Sequence, residues 1–332
     1  MTWIAFLFVS AVIVYAGTQL ARYGDMIADR SGMGRTWIGA VLVAATTSLP
    51  ELATGVSSTA VYRATDIAVG DVLGSCLFNL LLLSVMDGLG GDQPISSRAA
   101  PGHALSIAFG SMLIGLAGLS LLAEPNLPHL RWIGWYTPLM IGIYLLSMRS
   151  LFHYERRQRE RMPAVLEEEA VPHAISTGVV WFRYSIHALV VVVAATLLPG
   201  LGQQIASETG LEQSFVGSMF IAASTSMPEL VVCISALRLG AVDLAIGNVL
   251  GSNIFNMFIL ALDDIFYLPG PILATVSRSH LIAILAALIM NSLVLAGLTY
   301  QSMRKRLALA ADTWGIVAIY VAAMVLLARQ HS

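Results

Sequence analysis

Ten apolar runs, each about twenty residues long, recur along the chain with short polar breaks between them: 3–21, 37–61, 67–86, 103–122, 132–149, 179–201, 214–237, 242–262, 279–299 and 313–328. A run of that length crosses roughly 30 Å of hydrocarbon, where only helices and closed barrels satisfy their own backbone groups. Of 332 residues, 57% are apolar and 11% charged, with a mean hydropathy of +0.77. Those values lie outside the range of an ordinary soluble domain. The expectation is an all-α polytopic membrane protein of ten spans. The first run has no basic residues before it, so it reads as a retained span, not a cleaved signal peptide.

Cytoplasmic loops collect Lys and Arg, which fixes a direction. With the N-terminus outside, 14 of the 18 basic residues fall on the inner side and only Arg63, Arg131, Arg278 and Arg329 on the outer. The segment 150–178, basic and then acidic, becomes a cytoplasmic linker held near anionic headgroups by its arginines, too short for a folded sensor domain. Cys76 and Cys233 fall within spans and read as small packing residues. Nothing calls for a nucleic-acid partner.

The chain also repeats itself. "AATTSLPEL" at 44–52 lies over "AASTSMPEL" at 222–230, and "DIAVGDVLGSCLFN" at 66–79 lies over "DLAIGNVLGSNIFN" at 243–256. One copy occupies spans 2 and 3, the other spans 7 and 8. Five crossings separate them, an odd number, so the second copy is inverted in the membrane. The reading is two inverted five-span halves, 1–149 with its motif at 44–79 and 179–332 with its motif at 222–256. Inverted repeats with matching interruptions point to a transporter whose site lies at their interface near the bilayer midplane.

Each first motif breaks its helix. Pro50 and Pro228 have no N–H to offer the carbonyls of Thr46 and Ser224, and such backbone is tolerated at depth only where it lines a cavity or is buried in protein. Beside the breaks stand Thr47, Ser48 and Glu51, and again Thr225, Ser226 and Glu229. Alone, a proline in a span is a tolerated kink, and a Ser or Thr bonds back to its own helix. The same string in both halves is hard to obtain from packing. Hydroxyls, carbonyls and two carboxylates form an all-oxygen set suited to hard cations such as Ca²⁺ or Na⁺. Ser75 and Asn79 share a helix face, as do Ser252 and Asn256. Glycines 70 and 74, and 247 and 251, let those helices approach the broken ones.

These paired strings resemble the two alpha repeats of the cation/calcium exchanger superfamily, which includes the sodium/calcium exchangers. The resemblance implies Ca²⁺ held by Glu51 and Glu229 with the Thr47 and Thr225 carbonyls. It implies Na⁺ also meeting Ser48, Ser75 and the Ala44 carbonyl in one half, and Ser226, Ser252 and the Ala222 carbonyl in the other, with Asn79 lining the middle. Asn256 departs from members that carry an aspartate there. The expected activity is exchange of Ca²⁺ for Na⁺ by alternating access, in a monomer of a prokaryotic plasma membrane, with no cofactor and no enzymatic activity. A Ca²⁺/H⁺ antiporter of the same superfamily shares nearly all these residues. From another class, "AVGD" at 68–71 faintly suggests an intramembrane aspartyl protease, although Ala68 replaces the expected glycine and Asn248 stands at the repeat position of Asp71. Asp71 reads as an outer-vestibule or helix-packing residue.

Overall fold

A computed structural model of the chain describes residues 1–30, 45–123, 129–161, 176–301, 305 and 309–330. Its helices are α1 Thr2–Arg30, α2 Leu49–Ser57, α3 Thr65–Leu89, α4 His103–Ala123, α5 Tyr136–Arg161, α6 Thr177–Ala195, α7 Leu198–Thr209, α8 Gln213–Val216, α9 Ala222–Thr225, α10 Met227–Arg238, α11 Val242–Phe266, α12 His280–Tyr300 and α13 Ala311–Ala328. A single π turn follows α2 at Ser58–Tyr62, and another, Gly217–Ile221, joins α8 to α9. Among the described residues the only strands are β1 His129–Leu130 and β2 Ile133–Gly134, an antiparallel pair turned at Arg131 with φ 63°.

Seven of the described helices are long and apolar enough to span a membrane, or eight if Gln213–Thr225 and Met227–Arg238, bent by 45°, form one broken span. Sequence patterning predicts ten, and the difference has two sources. The start of the second expected span falls in 31–44, outside the described residues. The fifth, expected at 132–149, is helical as α5, but Thr137, Ser147, Arg149 and Ser150 dilute its apolar run. The sixth, expected at 179–201, is present as one span over Thr177–Thr209, with an interruption between Ala195 and Leu198 and Pro199 in the new first turn.

Burial ranks the helices. Buried residues make up 89% of the apolar window of α3 and 72% of that of α11, against 28 to 50% in the other spans, so these two form the centre. They pack on each other, with Asn79 donating to the Asn253 Oδ1 at 3.0 Å and Asn253 to the Cys76 carbonyl at 3.2 Å. The outer helices turn Phe182, Leu189, Val193, Val321 and Leu326 outward, as lipid-facing surfaces do. Gly70 and Gly74 bring α3 against the π turn as expected. A Cβ on Gly70 would stand 2.9 Å from the Ser214 carbonyl oxygen, and one on Gly74 would run into the Ser218 backbone. Gly247 instead faces the His103 ring at 3.7 Å. The stretch that matches the π turn in the other half belongs to 31–44.

Aspartates fasten the ends of the central helices. Asp87, at the end of α3, accepts from the Ile95 and Ala310 N–H groups at 2.9 and 2.7 Å and from the Thr313 hydroxyl at 2.9 Å, with Lys305 at 3.3 Å. Asp264, near the end of α11, accepts from Ile272 N–H and Tyr136 OH through one oxygen and from Gly134 N–H and Thr137 OH through the other. At the opposite helix ends, Asp66 accepts from Ser277 N–H at 2.7 Å and meets His280 at 3.0 Å. Asp243 accepts from Ala100 N–H at 2.7 Å and meets His103 at 3.0 Å. Each of these latter two aspartates reaches a residue of the other motif's following helix.

Candidate functional site

Both proline-bearing helices begin in the same way. Ser48 precedes α2 with φ −86°, ψ 14°, and Ser226 precedes α10 with φ −88°, ψ 7°; each helix then has its proline in second place. A proline is accommodated in a first turn because the N–H it lacks would have no intrahelical partner there. The break therefore falls at the serine, and the glutamate three residues on lies in the new first turn, where helix N–H groups favour negative charge.

The two breaks meet at the centre of the molecule and exchange partners. Ser226 donates to Glu51 Oε1 at 2.8 Å, and Ser48 donates to Glu229 Oε1 at 3.2 Å. Ser226 and Ser75 are hydroxyl to hydroxyl at 2.9 Å. Thr47 and Ser252 also lie close to the Glu229 carboxylate, and Glu229 and Asp71 both lie near Glu51. Every one of these side chains is fully buried. The second oxygen of each glutamate has no hydrogen-bond partner among the described residues. Two inward-facing carboxylates with spare acceptor oxygens, ringed by hydroxyls, make a cation-binding arrangement.

Other expected residues divide. Asn256 is buried, with neither polar side-chain atom bonded, and lies beside the Cys76 thiol. Asn79 is committed through its amide nitrogen to Asn253, while its Oδ1 remains unpartnered. The Ala222 carbonyl, expected as a free ligand, already accepts Ser226 N–H at 3.0 Å and the Thr225 hydroxyl at 3.2 Å, because α9 completes one more turn before the break. The matching carbonyl, Ala44, lies outside the described residues. The Thr225 hydroxyl also donates to Asp71 Oδ1 at 3.0 Å, which draws Asp71 to the edge of the site. Helices α1 and α6 pack side by side over both breaks, with Ser10 bonded to Ser224 and Thr46 to Tyr184.

Asp263 escaped the sequence reading, as did the aspartates at the helix ends. The latter were available as signal: Asp66, Asp87 and His103 have counterparts Asp243, Asp264 and His280 at the same 177-residue offset as the second motif.

A helical membrane protein with a buried, oxygen-lined acidic centre between two proline-broken helices belongs to the ion-transporting class. The Sodium/calcium exchanger protein family model matches residues 1–152 and 179–329. The chain belongs to that family, within the cation/calcium exchanger superfamily of antiporters, which are transporters and not enzymes. The protease alternative falls with that assignment. The chain is 28% identical over 299 residues to the Putative antiporter CaxA of Alkalimonas amylolytica, covering 89% of each. It is 26% identical over 284 residues to the Sodium/calcium exchanger MaX1 of Methanosarcina acetivorans, covering 77% of this chain and 80% of that one. The fold is similar to that of the H⁺/Ca²⁺ exchanger CAX, with a TM-score of 0.72 at 12% identity, covering 99% of this chain and 85% of the other.

Proposed function

We propose that the chain exchanges Ca²⁺ for Na⁺ across the membrane by alternating access, with both ions using the oxygens around Glu51 and Glu229. The observation that carries this reading is the reciprocal exchange, Ser226 to Glu51 and Ser48 to Glu229, which builds one buried site from both breaks. Thr47, Thr225, Ser75, Ser252, Asn79 and Asn256 complete the lining, with the Ala44 and Ala222 carbonyls at its ends. Two ionised carboxylates are balanced by one Ca²⁺ or by two Na⁺. An empty, doubly charged centre is costly to carry through a dehydrated state, and a filled one is nearly neutral, so the halves rock only when loaded.

The architecture that would rock is the pair of inverted five-span halves, 1–149 and 179–332, joined by a cytoplasmic linker at 150–178. Reciprocal contacts of the form i to j′ and i′ to j are what a two-fold relation produces, and the Asp66–His280 and Asp243–His103 pairs supply a second set. The orientation follows the basic residues, N-terminus outside, in a prokaryotic plasma membrane, with the protein acting as a monomer.

Proton coupling is the second reading, favoured by Asp71 and Asp263, which add two buried carboxylates to the interior, where a proton can take the place of a metal ion. Counterflow of ⁴⁵Ca²⁺ in sealed vesicles under an imposed Na⁺ or H⁺ gradient separates the two. Uptake driven by Na⁺ and indifferent to a pH gradient supports sodium coupling. Uptake driven by the pH gradient alone supports the proton, and no Ca²⁺ movement under either rejects both.

A further inference from the structure

We propose that Asp263, flanked by Asp71, forms a second cation station on one side of the Glu51–Glu229 centre, and that the opposite side of the centre has no such station. The inference rests on the antiport reading and gives the ion path a direction.

Asp263 is fully buried near the end of α11, and neither of its oxygens has a hydrogen-bond partner among the described residues. The next residue is the contrast. Both oxygens of Asp264 are occupied by the Gly134, Tyr136, Thr137 and Ile272 donors described above. One aspartate is thus a fully bonded cap, while its neighbour is a buried carboxylate with open acceptors. Such a group is retained against a large desolvation penalty, and a cation is the partner that relieves it.

Its seat lies on the helix of the central site. A Cβ on Gly55 would stand 2.5 Å from Asp263 Oδ1 and 2.6 Å from Oδ2, so the carboxylate rests against a glycine one helical turn beyond Glu51. Asp71 is next in line. Its Oδ1 accepts from Thr225 and its Oδ2 is unpartnered. Asp71, from α3, lies near both Asp263 and Glu51, so the three carboxyl groups run from Asp263 past Asp71 to the centre.

The repeat shows that this feature is one-sided. The positions matching Asp263, Asp71 and Gly55 in the other half are Met86, Asn248 and Cys233. All three are buried and uncharged, and the Asn248 amide faces the Cys233 thiol at 3.8 Å. A requirement of packing alone would act on both copies. The substitutions instead place two carboxylates on one side and a thioether, an amide and a thiol on the other. Open carboxylate oxygens suit a hard metal cation or a proton, whereas the other side offers only the uncharged Asn248 amide oxygen beside a thioether and a thiol.

The test uses purified full-length protein in vesicles of uniform orientation, with Ca²⁺ varied on one face at a time. Asp263→Asn removes the charge, and Asp263→Met installs the residue of the matching position. Gly55→Ala keeps the charge but displaces the carboxylate from its seat, and so serves as the independent variant. The expected result is a rise of at least threefold in half-saturating Ca²⁺ on one face, with the other face at the parent value. Equal shifts on both faces, or no shift on either, in variants that remain monodisperse overturn the proposal. Varying Na⁺ and pH on the affected face distinguishes the occupant. Lost Na⁺ competition identifies a metal-ion station, and lost proton competition a protonated one. If the parent itself moves no Ca²⁺, the antiport reading fails separately. Thermal stabilisation by Ca²⁺ or Na⁺ in detergent then decides the station, because its loss in Glu51→Gln with retention at parent strength in all three variants would reject it.

Discussion

Replacing either central glutamate with glutamine should harm the two ions of the proposed exchange unequally, by an amount that follows from their charges. The change is nearly isosteric, and the amide oxygen can still accept the Ser226 or Ser48 hydroxyl that each Glu Oε1 now holds at 2.8 or 3.2 Å, so the break should keep its shape. At an effective dielectric of about 20, two unit charges about 4 Å apart attract by about 4 kcal/mol, so a divalent ion gains about 8 kcal/mol from one carboxylate and a monovalent ion about 4. Dehydration of the carboxylate offsets several kcal/mol of either figure. That offset is the same whichever ion enters, so it cancels in the difference. Loss of one charge therefore costs Ca²⁺ about 4 kcal/mol more than Na⁺. At about 1.4 kcal/mol per tenfold, this is a relative loss of affinity on the order of 10³. Glu51→Gln and Glu229→Gln should each reduce ⁴⁵Ca²⁺ uptake to background while ²²Na⁺ self-exchange persists at raised Na⁺. Near-parent Ca²⁺ uptake in both variants, or equal losses for Ca²⁺ and Na⁺ in either, would refute the assignment of these carboxylates as the Ca²⁺ ligands.

Three further outcomes follow from the same geometry. Ser226→Ala and Ser48→Ala should weaken the dependence on the coupling ion, each removing a hydroxyl-to-carboxylate bond of about 1.5–3 kcal/mol, with Ser226 the larger because its bond is shorter; equal Na⁺ titrations of parent and variants would count against this. Asp87→Ala strands three donors, Ile95 N–H, Ala310 N–H and the Thr313 hydroxyl, at about 1 kcal/mol or more each, and should lower the melting temperature in detergent by several degrees; an unchanged melt would show that this cap is dispensable. A cysteine at Glu208 should react with an impermeant thiol reagent in intact cells and one at Glu168 should not, the reverse pattern overturning the proposed orientation but leaving the inverted halves intact.

Much of the site was legible because it is written twice. Ser48, Glu51, Ser226 and Glu229 are conspicuous as a repeated string inside apolar runs, and the structure brings all four into two reciprocal bonds. Asp66, Asp87 and His103 are repeated equally well, but their long-range partners His280, Ala310 and Asp243 are remote in the chain, so nothing local marked them as fasteners. The span at 132–149 was read from apolar content, and its helix does turn Leu139, Leu145 and Leu146 outward, with Thr137 at its start bonded to Asp264. The Ala222 carbonyl came only from the family resemblance, and the structure has it accepting from Ser226 N–H and the Thr225 hydroxyl in the last turn before the break.

The residues hardest to read from the repeat are those that depart from it. A search for self-similarity rewards Asp66 with Asp243 and Asp87 with Asp264, and it passes over Asp263 with Met86 and Asp71 with Asn248. Yet an antiporter built from two equivalent halves has equivalent paths to either face, and identical halves would give both faces the same affinity. Any difference between loading from one side and loading from the other must come from residues in which the halves differ. Within the described interior Asp71 and Asp263 are two such residues that add a carboxylate, and Gly55, where the other half has Cys233, leaves room for Asp263. In the proposed antiporter the repeated residues would form the ion site, and the unrepeated carboxylates would make the two faces of the membrane chemically distinct.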